Sequence, residues 1–335
     1  MITHEILHSF KRRKLKRGML AAKLDLQKAY DRVNWSFLKT VLQKFGFDEK
    51  FVGWIMECVL SVSSALLING GITGHFKLNR GLRQGDPLSP YLFILNQEVL
   101  SKLLEMEHLE GRISGVKANI GGPAITHTMY VDDIILFTKA TSREAMTLND
   151  CLEKYCKWSR QLINSQKSGL VFSKSTPQSS CRRMKHLLQM KCLAKDTRYL
   201  GAPLFFSHGN TKDFKYLQDR VEAKLIGWRS KCLSWAERCT LIKAVAQSIP
   251  TYAMSTFEVP TTVCNKLDAS VRRFWWNPKN SNGKYLAWRS WDHLCLPKGA
   301  EGLGFKKSKD FNNALIAKLA WMVASKRDSL CMAML

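Results

Sequence analysis

"TMYVDDIILF", residues 128–137, sets two adjacent carboxylates, Asp132 and Asp133, inside a β-branched and aromatic run. The longer stretch "ITHTMYVDDIILFTK" reads as two strands around a tight turn, with Met129, Val131, Ile134 and Leu136 supplying apolar strand faces. Burying an unpaired carboxylate costs several kcal/mol, and neighbouring carboxylates also repel each other. Taken alone, "DD" is most simply a solvated β-turn, because Asp is a favoured turn residue. The other reading is a cation site. Hard divalent ions such as magnesium take one or two carboxylates together with substrate phosphates, and paired ions roughly 3.5–4 Å apart clamp the attacking and leaving oxygens in phosphoryl transfer. That reading needs a further acid from a separate element. Asp25, closing the short buried strand "MLAAKLDL", is the candidate.

The rest of the chain narrows the choice. Its 335 residues, 45% hydrophobic, suffice for a sizeable core and two or three domains. Lys and Arg number 52 against 27 Asp and Glu, a net charge of +25. Residues 206–335 hold 21 basic and 10 acidic side chains, so +11 lies there and +14 in residues 1–205. A surplus spread this evenly points to a polyanionic partner, nucleic acid being the commonest, with a solvated basic surface as the alternative. No apolar run approaches the roughly 20 residues of a membrane helix and nothing resembles a signal peptide. The expectation is a soluble intracellular protein, nuclear or cytoplasmic. Ten cysteines without a CxxC pair are expected to be reduced, mostly buried thiols.

Periodicity orders the remaining elements. "ITHEILHSF" opens an amphipathic helix, and "KRRKLKRG" after it is a basic turn suited to phosphate contact, nuclear import or simple solvation. "WSFLKTVLQKFGF" is a helix closed by Gly46. "KFVGWIMECVLSVSSALLING" reads as a helix running into a strand with a hairpin turn at "NGG", and "YLFILNQEVLSKLLEME" as a further helix. "REAMTLNDCLEKYCKWSRQL" is amphipathic, with Leu148, Leu152, Tyr155 and Leu162 near one face. Beyond residue 205 helical patterns dominate, and seven of the ten tryptophans lie there. Trp235, Trp275 and Trp276 are candidates for stacking on bases, although helical spacing makes them core residues in the ordinary case.

Five ordered segments now carry a resemblance. "AKLDLQKAYDRVNW" (22–35), "GLRQGDPLSPYLFIL" (81–95) and "MYVDDIILF" (129–137) look like the A, B and C motifs of reverse transcriptases, in that order. "QLINSQKSGLVFS" (161–173) resembles the lysine-bearing motif that follows, and "RYLGAPLF" (198–205) the primer-grip hairpin. The wording is closest to the LINE-type, non-LTR retrotransposon polymerases of plants, and residues 228–260 are similar to the helical region beyond the palm in those elements. An organellar group II intron maturase shares the palm, but "RQGDPLSP" and the later match point to the LINE side.

The resemblance implies an α+β fold: a reverse-transcriptase palm, an antiparallel sheet with packed helices, with remnant fingers over 1–205, then a mainly helical thumb-like region over 206–335. It implies RNA-directed DNA synthesis by attack of a primer 3′-hydroxyl on a deoxynucleoside triphosphate. Two Mg2+ ions, with Mn2+ as a substitute, would be ligated by Asp25 and Asp132, and Asp133 would complete the acidic cluster. Tyr30 would be the steric gate against a ribose 2′-hydroxyl. Arg83, Gln84 and Gly85 would lie against the incoming nucleotide and template, with Pro87 and Pro90 stiffening the next helix, and Lys167 would protonate the leaving pyrophosphate. The implied partners are an RNA template, a DNA primer and dNTPs, and no membrane. Endonuclease and the remaining fingers are expected from a separate or missing segment. Two local departures stand out: Arg160 and Glu237 occupy positions where such elements usually carry glycine. The competing expectation is a truncated retrotransposon fragment that binds nucleic acid without polymerising.

Overall fold

A computed structural model describes residues 2–12, 18–72, 74–117, 121–194, 196–205, 211–229, 231–277 and 284–325. Most of the basic stretch 11–18 therefore lies outside the described residues. The chain divides into two compact units, one running from Ile2 to Leu200 and the other starting at Gly201.

The first unit is organised by four antiparallel strands: β1 (Met19–Leu24), β2 (His127–Tyr130), β3 (Asp133–Lys139) and β4 (Gly169–Phe172). They lie in the order β4-β1-β3-β2. Strand β1 is central and buried on both faces, which explains its near-continuous apolar sequence. Leu20, Ala22 and Leu24 on one face join Ile134 and Leu136 of β3 in the core. Helices close over it: α2 (Trp35–Lys44), α3 (Glu49–Leu60), α4 (Ser89–Leu109), α5 (Ser142–Ser159) and α6 (Gln178–Leu188). The opening helix α1 (Ile2–Arg12) buries Ile6, Leu7 and Phe10, as its apolar spacing predicts.

Local chemistry sets several boundaries. Asn34 accepts from the Phe37 N–H and Thr141 from the Glu144 N–H, each satisfying an orphan donor at a helix start. Gly46 ends α2 at φ 83°. The "NGG" turn joins the two-residue strands Leu67–Ile68 and Gly71–Ile72, with Asn69 and Gly70 both at positive φ.

Some expectations fail locally. Val131 is not a strand residue but sits in the turn between β2 and β3 at φ 52°, an uncommon conformation for a β-branched side chain. Leu162 is 45% exposed, because α5 stops at Ser159 and Arg160 turns left-handed at φ 61°. That angle is the physical reason a glycine suits position 160. The thiols are also less buried than expected: Cys151 and Cys264 are buried, whereas Cys58, Cys192 and Cys232 are exposed.

Apart from the two-residue strand Ala202–Pro203 and short 3-10 turns at Thr211–Phe214 and Lys298–Ala300, the regular structure of the second unit among the described residues is a set of helices. Its elements are α7 (Lys215–Arg229), α8 (Trp235–Leu241) continuing into a π-helical turn (Ile242–Ala246), α9 (Thr251–Met254), α10 (Thr261–Trp276), α11 (Trp291–Cys295) and α12 (Ser308–Ala324). Glu237 closes a capping box with Ser234, a role glycine could not fill. Asn312 of α12, fully buried, accepts from the Val259 N–H and donates to the Met254 and Phe257 carbonyls. Trp275 is a core residue, edge-on to Phe305, while Trp235 is 50% exposed beneath the Arg238 guanidinium at 4.4 Å. Among the described residues, no helix is long and apolar enough to cross a membrane.

Candidate active site

Strand pairing brings the acids together. The β1–β3 ladder runs from Met19↔Lys139 to Leu24↔Ile134. Asp25 follows Leu24 directly, so the next position in register faces Asp133. Neighbouring strands lie about 4.8 Å apart, which places the Asp25 backbone beside the β2–β3 turn although 107 residues separate Asp25 from Asp132 in the sequence. Asp132 is exposed in that turn and, among the described residues, takes no hydrogen bond or ion pair. Asp133 is half-buried at the start of β3.

Asp25 is held from three directions. Its N–H donates to the Ser168 hydroxyl at 3.0 Å. Its carbonyl accepts from the Asn164 N–H at 2.7 Å, and its Oδ2 from the Asn164 side-chain amide at 3.2 Å. The same antiparallel contact continues outward. Leu26 bridges Ile163, the Gln27 N–H donates to the Leu162 carbonyl at 2.8 Å, and buried Gln161 donates to the Ala29 carbonyl at 2.9 Å. Residues 161–168 thus flank the stretch from Asp25 to Ala29. Lys167 is exposed in this segment, its N–H donating to the Asn164 carbonyl at 3.2 Å.

Tyr30 belongs to the same neighbourhood. Its ring stacks on Phe93 of α4 at 4.8 Å and 10°. Burial raises its phenol pKa, and the nearby negative charge of Asp132 raises it further. The next motif is tied on by backbone: the Leu82 N–H donates to the Tyr30 carbonyl and the Gly81 N–H to the Val33 carbonyl. Gly81 has φ 93°, and a Cβ there would stand 2.9 Å from the Asp31 carbonyl oxygen, so only glycine fits this approach. Arg83, Gln84 and Gly85 follow on an exposed turn. Arg83 pairs with Asp86 at 2.5 Å, and Asp86 in turn accepts from the Leu88 N–H at the entry to α4. The geometry therefore gathers Asp25, Asp132, Asp133 and Tyr30. Arg83, Gln84, Gly85 and Lys167 lie on adjoining exposed segments without a hydrogen bond to the three acids.

Lys23 was not read from the sequence as part of the site. Its ammonium lies 3.0 Å from Asp133 Oδ1, and its side chain is 9% exposed. The signal was present: in a strand, Lys23 and Asp25 are two apart and share a face. The chain itself thus meets the demand that "VDD" raised, with solvent hydrating Asp132 and Lys23 neutralising Asp133. Among the described residues, no group of three or more His, Cys, Asp or Glu side chains is placed to hold a metal ion. What remains is an exposed carboxylate at Asp132 and the Asp25 Oδ1, an all-oxygen set. Such a set suits magnesium, which keeps waters and substrate phosphates in most of its positions.

The family profile described as "Reverse transcriptase (RNA-dependent DNA polymerase)" matches residues 2–217. A Xenopus laevis protein, "Transposon TX1 uncharacterized 149 kDa protein", is 26% identical over 305 residues, covering 90% of this chain and 22% of that one. The Drosophila melanogaster "Retrovirus-related Pol polyprotein from type-2 retrotransposable element R2DM" is 25% identical over 201 residues, 60% of this chain and 17% of that one. An uncharacterized mitochondrial protein of Arabidopsis thaliana is 49% identical over 67 residues, 20% and 55% of the two chains. A solved telomerase from Candida tropicalis, in complex with a fragment of telomeric RNA, aligns with a TM-score of 0.41 at 13% identity over 81% of this chain and 49% of its own. The chain spans 20% and 22% of the length of the first curated relatives it matches.

Proposed function

The chain belongs to the reverse transcriptase family, as the reverse-transcriptase domain of a non-LTR retrotransposon, and we propose that it carries an RNA-directed DNA polymerase centre built on Asp25, Asp132 and Asp133. The family uses divalent metal ions; in this chain Asp25 and Asp132 are the proposed ligands and Mg2+ the proposed metal, with Mn2+ as its substitute. Two such ions are proposed: when bound, one would lower the pKa of the primer 3′-hydroxyl and the other would hold the triphosphate and neutralise charge on the leaving pyrophosphate.

The chain's own residues do the positioning. Asn164 and Ser168 fix Asp25, and the turn at Val131 presents Asp132 to solvent. The Tyr30 ring, stacked on Phe93, is the proposed steric gate that excludes a 2′-hydroxyl. Arg83, Gln84 and Gly85 are proposed to lie along the nucleotide and template, and Lys167 to protonate the leaving pyrophosphate. An RNA template, a DNA primer and dNTPs are the proposed substrates. The first unit is the proposed palm with partial fingers, the second a thumb-like region, and the Arabidopsis similarity supports a plant element.

The observation that carries this reading is the register Leu24↔Ile134, which sets Asp25 beside the Asp132–Asp133 turn within the span of the family match. Magnesium-dependent extension of a DNA primer on an RNA template, with Asp132→Asn as control, tests it. Extension by the intact chain that disappears in the variant is expected. Equal yields from both chains would refute the reading.

A further inference from the structure

We infer that Lys23 is a built-in counter-ion that ties up Asp133 and leaves Asp25 and Asp132 as the divalent-ion ligands, so that Lys23 sets the metal affinity of the tip. The inference rests on the metal-site reading above and adds to it a residue that acts through Asp133.

Three observations carry it. Lys23 faces Ile135 across the ladder, and Ile135 and Asp133 are two apart on β3. Lys23, Asp25 and Asp133 therefore share one face of the sheet. The Lys23 side chain is 9% exposed, and among the described ion pairs its pair with Asp133 is the one whose cation is buried. A buried ammonium is tolerated only when paired, so the bond to Asp133 cannot be exchanged freely for solvent. Last, the three acids are not treated alike among the described residues: Asp132 is exposed with no hydrogen bond, Asp25 is held by amide and hydroxyl dipoles, and Asp133 alone has a cation.

Two consequences follow. The tip presents a net charge of two negatives instead of three before any ion arrives, which lets the chain fold without metal. Asp133 Oδ1, already held at 3.0 Å by the ammonium, is withdrawn from the ligand set. A purely structural salt bridge would have neither consequence for metal binding.

Mn2+ titration of the full chain without nucleic acid, followed by the EPR signal of free Mn2+, separates these cases. The wild type is expected to bind, and the combined Asp25→Asn, Asp132→Asn variant to lose that binding. Lys23→Met removes the cation that lies 3.0 Å from Asp133 Oδ1 and is expected to tighten binding about tenfold. Lys23→Arg keeps the charge and is expected to stay within about twofold of wild type. Misfolding could only weaken binding, so the sign distinguishes the counter-ion role from a structural one. Should Lys23→Met fail to fold, the combined Lys23→Met, Asp133→Asn variant carries the test. It removes the buried pair as a unit, a change proteins often tolerate, and leaves the net charge of the tip unchanged. Its Mn2+ affinity is expected to match wild type. A folded Lys23→Met that binds no more tightly, or a combined variant that loses about tenfold or more because Asp133 is itself a ligand, would overturn the inference alone. A wild-type chain that binds no Mn2+ would instead overturn the metal-site reading.

Discussion

Glu144 offers a direct measure of what holds strand β3, and with it Asp133, in place. It lies in the first turn of α5 and is 8% exposed. Its carboxylate accepts from the Ser114 N–H at 3.1 Å, the Ser114 hydroxyl at 2.8 Å and the Lys139 N–H at 3.1 Å. It also accepts from the hydroxyl of fully buried Thr138. Glu144→Ala leaves two backbone N–H groups and the Thr138 hydroxyl without an acceptor. Each orphaned buried group costs about 1–3 kcal/mol. Allowing the hydroxyls to turn elsewhere, the loss should be about 3–5 kcal/mol. Urea unfolding of the full chain, followed by far-UV circular dichroism at pH 7, reads this as a lower midpoint. The pH dependence gives a second reading. Burial pushes the Glu144 carboxyl up, but the hydrogen bonds from Thr138, Ser114 and Lys139 outweigh it and hold the carboxyl below its ordinary 4.5. A lowered folded pKa contributes stability above the unfolded value that is lost as pH falls through the folded one. The gap between wild type and variant should therefore shrink below pH 4.5. A loss under about 1 kcal/mol at pH 7, or a gap that widens in acid, would refute this reasoning.

Three more outcomes are expected. Arg160→Gly relieves the left-handed backbone at φ 61° and should stabilise the first unit by about 1 kcal/mol, seen as a higher urea midpoint; an unchanged or lower midpoint counts against it. Gly81→Ala adds a Cβ 2.9 Å from a backbone oxygen at φ 93°, whereas Gly85→Ala at φ 86° meets nothing within 4 Å. The first should cost about 2–4 kcal/mol and the second about 1, and equal losses would show that the Asp31 contact does not constrain Gly81. His127 bonds Ser101 of α4 at 3.0 Å, and burial holds its pKa below 6.5. The neutral ring therefore stabilises the fold above pH 6.5, and this contribution falls away as pH drops through the folded value. Melting temperature should decline between pH 7.5 and 5.5 in the wild type and less so in His127→Gln; a steeper decline in the variant contradicts it.

Much of the fold follows from short-range pattern. Strand β1 is where its near-continuous apolar run predicts it, the β2–β3 hairpin where its β-branched and aromatic content predicts it, and helices α2, α4 and α5 where their spacing predicts them, with side-chain caps at Asn34 and Thr141 starting α2 and α5. The misses have local causes too. Period-two reading carried Val131 into a strand, since nothing in its identity announces a positive φ. Leu162 was placed on α5 because its spacing continues the helix past Arg160, whose αL turn breaks it. The site divides the same way. Asp25 and Asp132 could be paired from motif order, but Asn164 reaches Asp25 across 139 positions and Lys23 reaches Asp133 across 110. Such contacts exist only once the ladder is in register. Lys23 was the recoverable one, as strand alternation already places it on the face of Asp25.

The proposed binding of a divalent ion by Asp25 together with the Asp132–Asp133 turn is best tested by Fe2+-directed hydroxyl-radical cleavage of the full chain, mapped by mass spectrometry. Fe2+ in the Mg2+ position should cut the backbone around both residue 25 and residue 132, with both cuts lost in the combined Asp25→Asn, Asp132→Asn variant. Cleavage at only one of these segments, or cuts that persist in the variant, would contradict a shared ion.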